Sequence, residues 1–196
     1  MRCQDYPSRR LSACGPPRAF DADRKRRTGG LRRPRVYLAA PLFTAGERDL
    51  NATIRDALVV HCDVYLPQED GALLAEAIER GNDPEVASRY VFDCDVTALR
   101  DCDILLIVLN GRTVDEGAAF ELGAAWALGK ICVAYKDDPR QLLALGDNPM
   151  ITQSVTTVFR KIEPLVEWVA SGDWLDREGI PSFFDGAAHM PPSGAD

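Results

Sequence analysis

Two carboxylates stand close together after a short apolar run. The run Ile104 to Leu109 is followed by Asn110-Gly111, then Asp115, then Gly117 and a stretch rich in Ala and Leu that holds Glu121. A strand, a loop and a helix in this order aim both carboxylates at the crevice where open α/β sheets bind ligands. Glu121 is flanked by Phe120, Leu122, Gly123, Ala124 and Ala125, which leave almost no polar face. A carboxylate in such a setting needs a partner or a purpose, because burying its charge alone is costly. The plain alternative is an exposed acid near the positive end of a helix dipole. For Asp115 a helix N-cap is an equally good explanation, since Asp is favoured there.

The elements that must position these acids are legible around them. Ile104 to Leu109 is short and β-branched, as a fully buried strand is. Gly117 to Leu128 reads as a helix, with Glu121 in about its first turn. Strands are also expected at Arg35–Ala40, Asp63–Leu66, Ile131–Tyr135 and Thr156–Phe159. Helices are expected over Glu47–Val60, Ala72–Arg80, Glu85–Arg100, Pro139–Leu145 and Glu163–Ala170. Pro41–Gly46, Pro67–Gly71 and Asn148-Pro149-Met150 read as loops, and Gly81–Pro84 as a turn. Strands alternating with helices imply a doubly wound parallel sheet with helices on both faces. Such sheets bind ligands outside the carboxyl ends of their strands, which is where Asp115 and Glu121 fall.

Composition narrows the function. The 196 residues carry a net charge of −7, unevenly spread. Residues 1–35 hold 11 Lys/Arg against 3 Asp, and residues 36–196 hold 12 against 27 Asp/Glu. An acidic body does not suit nucleic acid, and mildly disfavours a phosphorylated substrate. Residues 1–34 have charge and breakers but no apolar periodicity, and read as a disordered basic arm. An Arg excess also occurs in transit peptides and nucleic-acid arms; the plainer reading is a dispensable extension. No run is long enough for a membrane span. The six cysteines form no Cys-x-x-Cys pair, so no metal site is expected, and reduced thiols suit a cytoplasmic protein. The two histidines, His61 and His189, have no triad setting. Neither Gly-x-Gly-x-x-Gly nor a Walker motif is present, so no cofactor is expected. Residues 172–196, rich in Gly, Pro and Asp, read as a tail.

The segment Asp115-Glu-Gly-Ala-Ala-Phe-Glu-Leu-Gly-Ala-Ala-Trp-Ala-Leu-Gly-Lys130 resembles the active-site helix of the nucleoside 2-deoxyribosyltransferase family. Three further blocks resemble it in order. They are Val36-Tyr-Leu-Ala-Ala-Pro-Leu-Phe43 with Glu47, Arg48 and Asn51, Leu66-Pro-Gln-Glu-Asp-Gly71, and Asn148-Pro-Met150. The resemblance spans roughly residues 35 to 160 and implies a five-stranded flavodoxin-like sheet, order 2-1-3-4-5, over residues 35–171. It implies Glu121 as nucleophile, Tyr37 as the hydroxyl that orients it and Asp95 as the acid near the leaving base. Asp115 would bind sugar hydroxyls, and Phe43 and Gly117 would contact substrate. Asn148 and Met150 would be lent to a neighbouring subunit's site, in a dimer or a trimer of dimers. Locally, Tyr37 reads equally as a packed strand tyrosine, Asp95 as an exposed helix acid and Asn148-Pro-Met as an ordinary turn. Asn110 departs from the Asp that many members carry, and Ala118 from a frequent Thr.

The implied reaction exchanges the base of a 2′-deoxynucleoside for a free nucleobase through a covalent deoxyribosyl-glutamate. The competing readings are a (deoxy)nucleoside 5′-monophosphate N-glycosidase and a non-catalytic nucleotide-binding module. The first would need phosphate-gripping groups in the first loop, which here is the largely apolar Ala39-Ala-Pro-Leu-Phe43.

Overall fold

The computed structural model describes residues 27–28, 31–71, 74–140 and 147–175. Five parallel strands form one sheet: β1 (Arg35–Ala39), β2 (Asp63–Tyr65), β3 (Ile104–Val108), β4 (Ile131–Tyr135) and β5 (Val158–Phe159). Their spatial order is β2-β1-β3-β4-β5, the expected 2-1-3-4-5. Seven helices are described: α1 (Ala45–Leu58), α2 (Pro67–Asp70), α3 (Leu74–Glu79), α4 (Pro84–Asp101), α5 (Glu116–Ala127), α6 (Pro149–Thr152) and α7 (Ile162–Ser171).

The period of two along each strand divides the core into two layers. Val36, Leu38, Ile104, Leu106, Ile131 and Val133 face α1 and α7, through Ile54, Leu58, Leu165 and Val169. Tyr37, Ala39, Leu105, Ile107, Cys132 and Ala134 face α4 and α5, through Ala98, Leu99, Ala118, Leu122 and Ala125. The helices thus cover both faces, and every residue of β3 and β4 is buried. This is why those strands read as unbroken apolar runs. It also fixes the side on which Tyr37 lies: with α4 and α5, the helices that carry Asp95 and Glu121.

Several boundaries differ from the sequence reading. Pro67–Gly71 is not an open loop, because Pro67 starts the single helical turn α2. The Asn148-Pro-Met segment likewise starts a turn, α6, with Asn148 as its N-cap. Helix α5 opens at Glu116, so Glu121 sits in its second turn. The expected tail from Gly172 first makes a 3₁₀ turn, Asp173–Leu175, that buries Trp174 against the α1/α7 layer. Most of the helix expected at Pro139–Leu145 and most of both terminal segments lie outside the described residues.

Two short strands, Arg27–Thr28 and Leu31–Arg32, pair antiparallel before the sheet begins. Arg33 then ties the chain to the body. Its guanidinium donates to the carbonyls of Val59, Val60 and Cys62 at 2.6–2.8 Å and reaches Asp63 at 3.4 Å. A cation placed there meets the unpaired carbonyls at the end of α1. Among the described residues no helix is long and apolar enough to cross a membrane.

Candidate active site

Helix α4 presents two adjacent faces. Ala87, Tyr90, Cys94 and Ala98 turn inward, and Asp95 lies on the flank beside them. Helix α5 packs Ala118, Leu122 and Ala125 inward, which leaves Gly117, Phe120 and Glu121 on the flank toward α4. Between the flanks is a cavity of about 270 Å³. Its walls are mostly apolar, with Leu74, Val91, Phe92, Leu99 and Phe120, and Asp95 and Glu121 are its carboxyl groups. Apolar walls with a few convergent polar groups are the usual make-up of a small-molecule site.

The Tyr37 hydroxyl donates to Glu121 Oε1 at 2.6 Å. Tyr37 is fully buried. Its phenol is held far above its ordinary pKa, first by burial, then by the charges of Glu121 and Asp95. It is therefore a fixed donor over the whole working range. Burial pushes the Glu121 carboxyl up to about 8, opposed by the Tyr37 hydrogen bond and assisted by repulsion from Asp95 and Asp115. Burial likewise raises Asp95 to about 6, opposed by a hydrogen bond from Tyr65. Two acids displaced upward in one cavity tend to hold a single proton between them near neutrality. Because the higher value belongs to Glu121, the shared proton rests mainly there; displacement at a glycosidic carbon uses the other tautomer of the same one-proton state, with Glu121 ionised and Asp95 protonated.

Asp115 is the N-cap of α5: its Oδ2 accepts from the Ala118 amide at 2.9 Å. The capping explanation is thus what the local geometry displays, and the cap sets where α5, and so Glu121, begins. Gly117 has no room for a side chain without crowding that cap, since a Cβ would lie 3.1 Å from Asp115 Oδ2. It also lines the cavity. Phe43 and Met150 are not brought to the cavity wall within this chain. They are 74% and 78% exposed, high values for large apolar side chains. Asn148 is exposed, and its Oδ1 accepts from the Met150 amide at 2.9 Å.

Glu47, Arg48 and Asn51 share one task. Glu47 Oε2 accepts from the amides of Phe43 and Thr44 at 3.0 and 2.8 Å, and Thr44 Oγ1 accepts from Glu47 N, a capping box. Arg48 donates to the carbonyls of Leu42 and Phe43 at 2.9 and 3.0 Å. Asn51, buried, donates to the Pro41 carbonyl and to Gln68. Together they fix the loop that follows β1.

Asn110 joins two loops at the carboxyl edge. Its Nδ2 donates to Asp137 at 2.6 Å, and its Oδ1 accepts from the amides of Asp137 and Asp138 at 3.2 and 3.3 Å. An Asp at position 110 would set a third carboxylate against those of Asp137 and Asp138. The amide is therefore matched to its neighbours here.

Two features escaped the sequence reading. Tyr65 hydrogen-bonds Asp95, and its only signal is its strand position opposite Tyr37. Lys136, directly after β4, is 2% exposed and paired with Asp147 at 2.6 Å. A lysine next to an apolar strand gives no sign of burial in sequence, since lysine is almost never fully buried. Among the described residues no three His, Cys, Asp or Glu side chains are grouped to hold a metal ion.

The fold agrees with what comparison shows. A 2-deoxyribosyltransferase from Bacillus psychrosaccharolyticus is similar in structure, with a TM-score of 0.59 and 23% identity over 76% of this chain and 96% of that one. A conserved protein from Enterococcus faecalis V583 is similar with a TM-score of 0.54 and 27% identity, over 71% and 99% of the two chains. No curated protein sequence matches the chain. The sequence profile described as nucleoside 2-deoxyribosyltransferase matches residues 36–176, well over half of the length and including both cavity acids and both tyrosines; the chain belongs to that family.

Proposed function

We propose that the protein exchanges the nucleobase of 2′-deoxyribonucleosides through a covalent deoxyribosyl-Glu121 intermediate, with retention of configuration. The observation that carries this reading is the 2.6 Å hydrogen bond from Tyr37 to Glu121 in a cavity shared with Asp95. Cleavage of the C1′–N bond passes through an oxocarbenium-like state. A carboxylate beneath C1′ traps it, and a second base then displaces the carboxylate from the face the first base left. Tyr37 aims Glu121 and stabilises its ionised form. Asp95 gives its proton to the departing base and takes one back from the incoming base. Asp115 and Gly117 lie toward the sugar at the N-terminus of α5. Phe43, Asn148 and Met150 complete a site shared between subunits of a homo-oligomer, and the exposure of Phe43 and Met150 supports this. The buried thiols Cys62, Cys94, Cys102 and Cys132 support a reducing, cytoplasmic setting.

Hydrolysis of a nucleoside 5′-monophosphate is the second reading, and the first loop speaks against it. Its nearby cation, Arg48, is occupied by two carbonyls, and its hydroxyl, Thr44, caps α1. A non-catalytic binding module has no use for Glu121 held as it is. The test is incubation with 2′-deoxyinosine or thymidine, with and without adenine, followed by chromatography. The expected product is 2′-deoxyadenosine, formed only with adenine. Free sugar as the main product from a 5′-monophosphate, with no exchange, would establish the hydrolase instead.

A further inference from the structure

A second tyrosine–carboxyl pair stands beside the first. Tyr65 ends β2, is 2% exposed, and is the direct ladder partner of Tyr37. Parallel pairing in register puts the two side chains on one face, and their rings stack with centroids 5.3 Å apart and planes 21° from parallel. While Tyr37 donates to Glu121, Tyr65 donates to Asp95 Oδ1 at 2.9 Å. Gly71 lies near the same oxygen: a Cβ there would come within 2.6 Å of the Pro67 carbonyl oxygen and 3.1 Å of Asp95 Oδ1, so a side chain would crowd both.

We infer that Tyr65 is the positioning residue of the proton donor: by holding Asp95 Oδ1 it leaves the acid proton on Oδ2 and steadies the carboxylate that remains once the proton has gone. This rests on the exchange reading and deepens it. In the first half-reaction the C1′–N bond breaks and its electron pair passes to the base nitrogen. The Oδ2 proton of Asp95 moves to the base, and a lone pair of Glu121 forms the new C1′–O bond. Glu121 loses its negative charge on becoming an ester, and Asp95 gains one. The charge thus moves from the carboxylate served by Tyr37 to the carboxylate served by Tyr65, and the second half-reaction returns it. The groups facing the two acids are one another, the two phenols and Asp115, with Cys94 and Asp70 acting on Tyr65. The phenol donors therefore decide where the charge is tolerated.

The test compares Tyr65→Phe with wild type on two donors, using adenine as acceptor. 2′-Deoxyinosine has a base that needs a proton to leave, whereas 7-methyl-2′-deoxyguanosine carries a cationic base that leaves neutral without one. Tyr65→Phe should lose about tenfold to a hundredfold in kcat on the first donor, a share of the usual contribution of general acid catalysis, and less than about threefold on the second. Asp95→Asn should show the same pattern, and Tyr37→Phe should lose on both donors. Equal losses on both donors for Tyr65→Phe, or no loss on either, would overturn the assignment. A second readout does not depend on turnover. In ¹³C-labelled protein the Asp95 carboxyl should titrate at higher pH in Tyr65→Phe, because the carboxylate has lost a donor. An unchanged titration would also overturn it. Wild-type protein inactive on both donors would refute the exchange reading itself, while the titration would still decide whether Tyr65 sets the acidity of Asp95.

Discussion

Tyr37 and Glu121 are 84 positions apart in sequence, yet the phenol oxygen and the carboxylate oxygen meet at 2.6 Å. The strand fixes one partner and the helix the other. Tyr37 is the central residue of β1, and Asp115 sets the start of α5 five residues before Phe120 and six before Glu121. Nothing soft lies between them, so the pair is preorganised before substrate arrives.

Glu121→Ala should abolish exchange, with a loss above about a thousandfold, because the covalent path disappears. Tyr37→Phe and Asp95→Asn should retain some activity and lose about a hundredfold to ten-thousandfold, since each supports the step without forming the bond. Initial rates of base exchange, with circular dichroism to verify folding, measure both. Near-normal exchange by folded Glu121→Ala would refute its role.

The pH profile follows from the displaced acids. With Asp95 at about 6 and Glu121 at about 8, the state holding one proton between them is most populated between those values. The profile of kcat/KM should be bell-shaped with limbs near both. Below the lower limb both acids are protonated and no nucleophile remains. Above the upper limb both are ionised and no proton donor remains. A flat profile from pH 5 to 9 would show that the pair does not govern turnover.

The same displacement alters stability. The folded value for Glu121, about 8, lies above its ordinary 4.5. Between these values the folded state holds the proton more tightly than the unfolded chain, so the slope of stability with pH is negative. The contribution is fully present below about pH 4.5 and is lost as pH rises through 8. Glu121→Gln removes the titration. Its melting temperature should match wild type near pH 4.5 and exceed it by several degrees above pH 8, corresponding to at most about 5 kcal/mol. Calorimetry across that range gives the comparison, and a constant difference would contradict it.

The legible part of this fold was carried by pattern. β3 and β4 are buried on both faces, so their sequences are unbroken apolar runs, and the helices between them follow. The capping box at Thr44 and Glu47 explains why α1 starts at Ala45, two residues earlier than its apolar stripe suggests. What stayed hidden depended on contacts across the chain. Tyr65 was one of five tyrosines in the chain until the register with Tyr37 placed it beside Asp95. Asn110 read as a departure until Asp137 and Asp138 appeared beside it. α2 and α6 are single turns begun by proline, too short to show a period of 3.6.

Lys136 and Asp147 make a buried pair that ties the end of β4 to the residue before Asn148. Lys136→Met takes the close cation from the Asp147 carboxylate, so it should destabilise the fold by about 3–5 kcal/mol. Lys136→Met with Asp147→Leu should recover most of that loss, because an apolar pair of similar volume has no charge to desolvate. Urea denaturation of the two variants decides it. Equal destabilisation in both would show that the loss does not come from the charge left on Asp147.

The last prediction concerns assembly. Phe43 and Met150 are 74% and 78% exposed, and the proposed site borrows Asn148 and Met150 from a neighbour. A homodimer with two-fold symmetry is the minimal assembly that satisfies both sites. Asn148 also caps α6 through its Oδ1, so its replacement must keep the cap. Asn148→Ser does so while shortening the reach, and Asn148→Ala serves as the uncapped control. Glu121→Ala and Asn148→Ser should each be weakly active or inactive alone. After subunit exchange, a mixed dimer has one site with both defects and one with neither, so activity should return toward a quarter of the wild-type level in an equal mixture. Residues 1–32, which precede the Arg33 anchor, should be dispensable for this assembly, which the same mixing experiment on protein lacking them would verify. A fully active monomer by light scattering at assay concentration would refute the shared site.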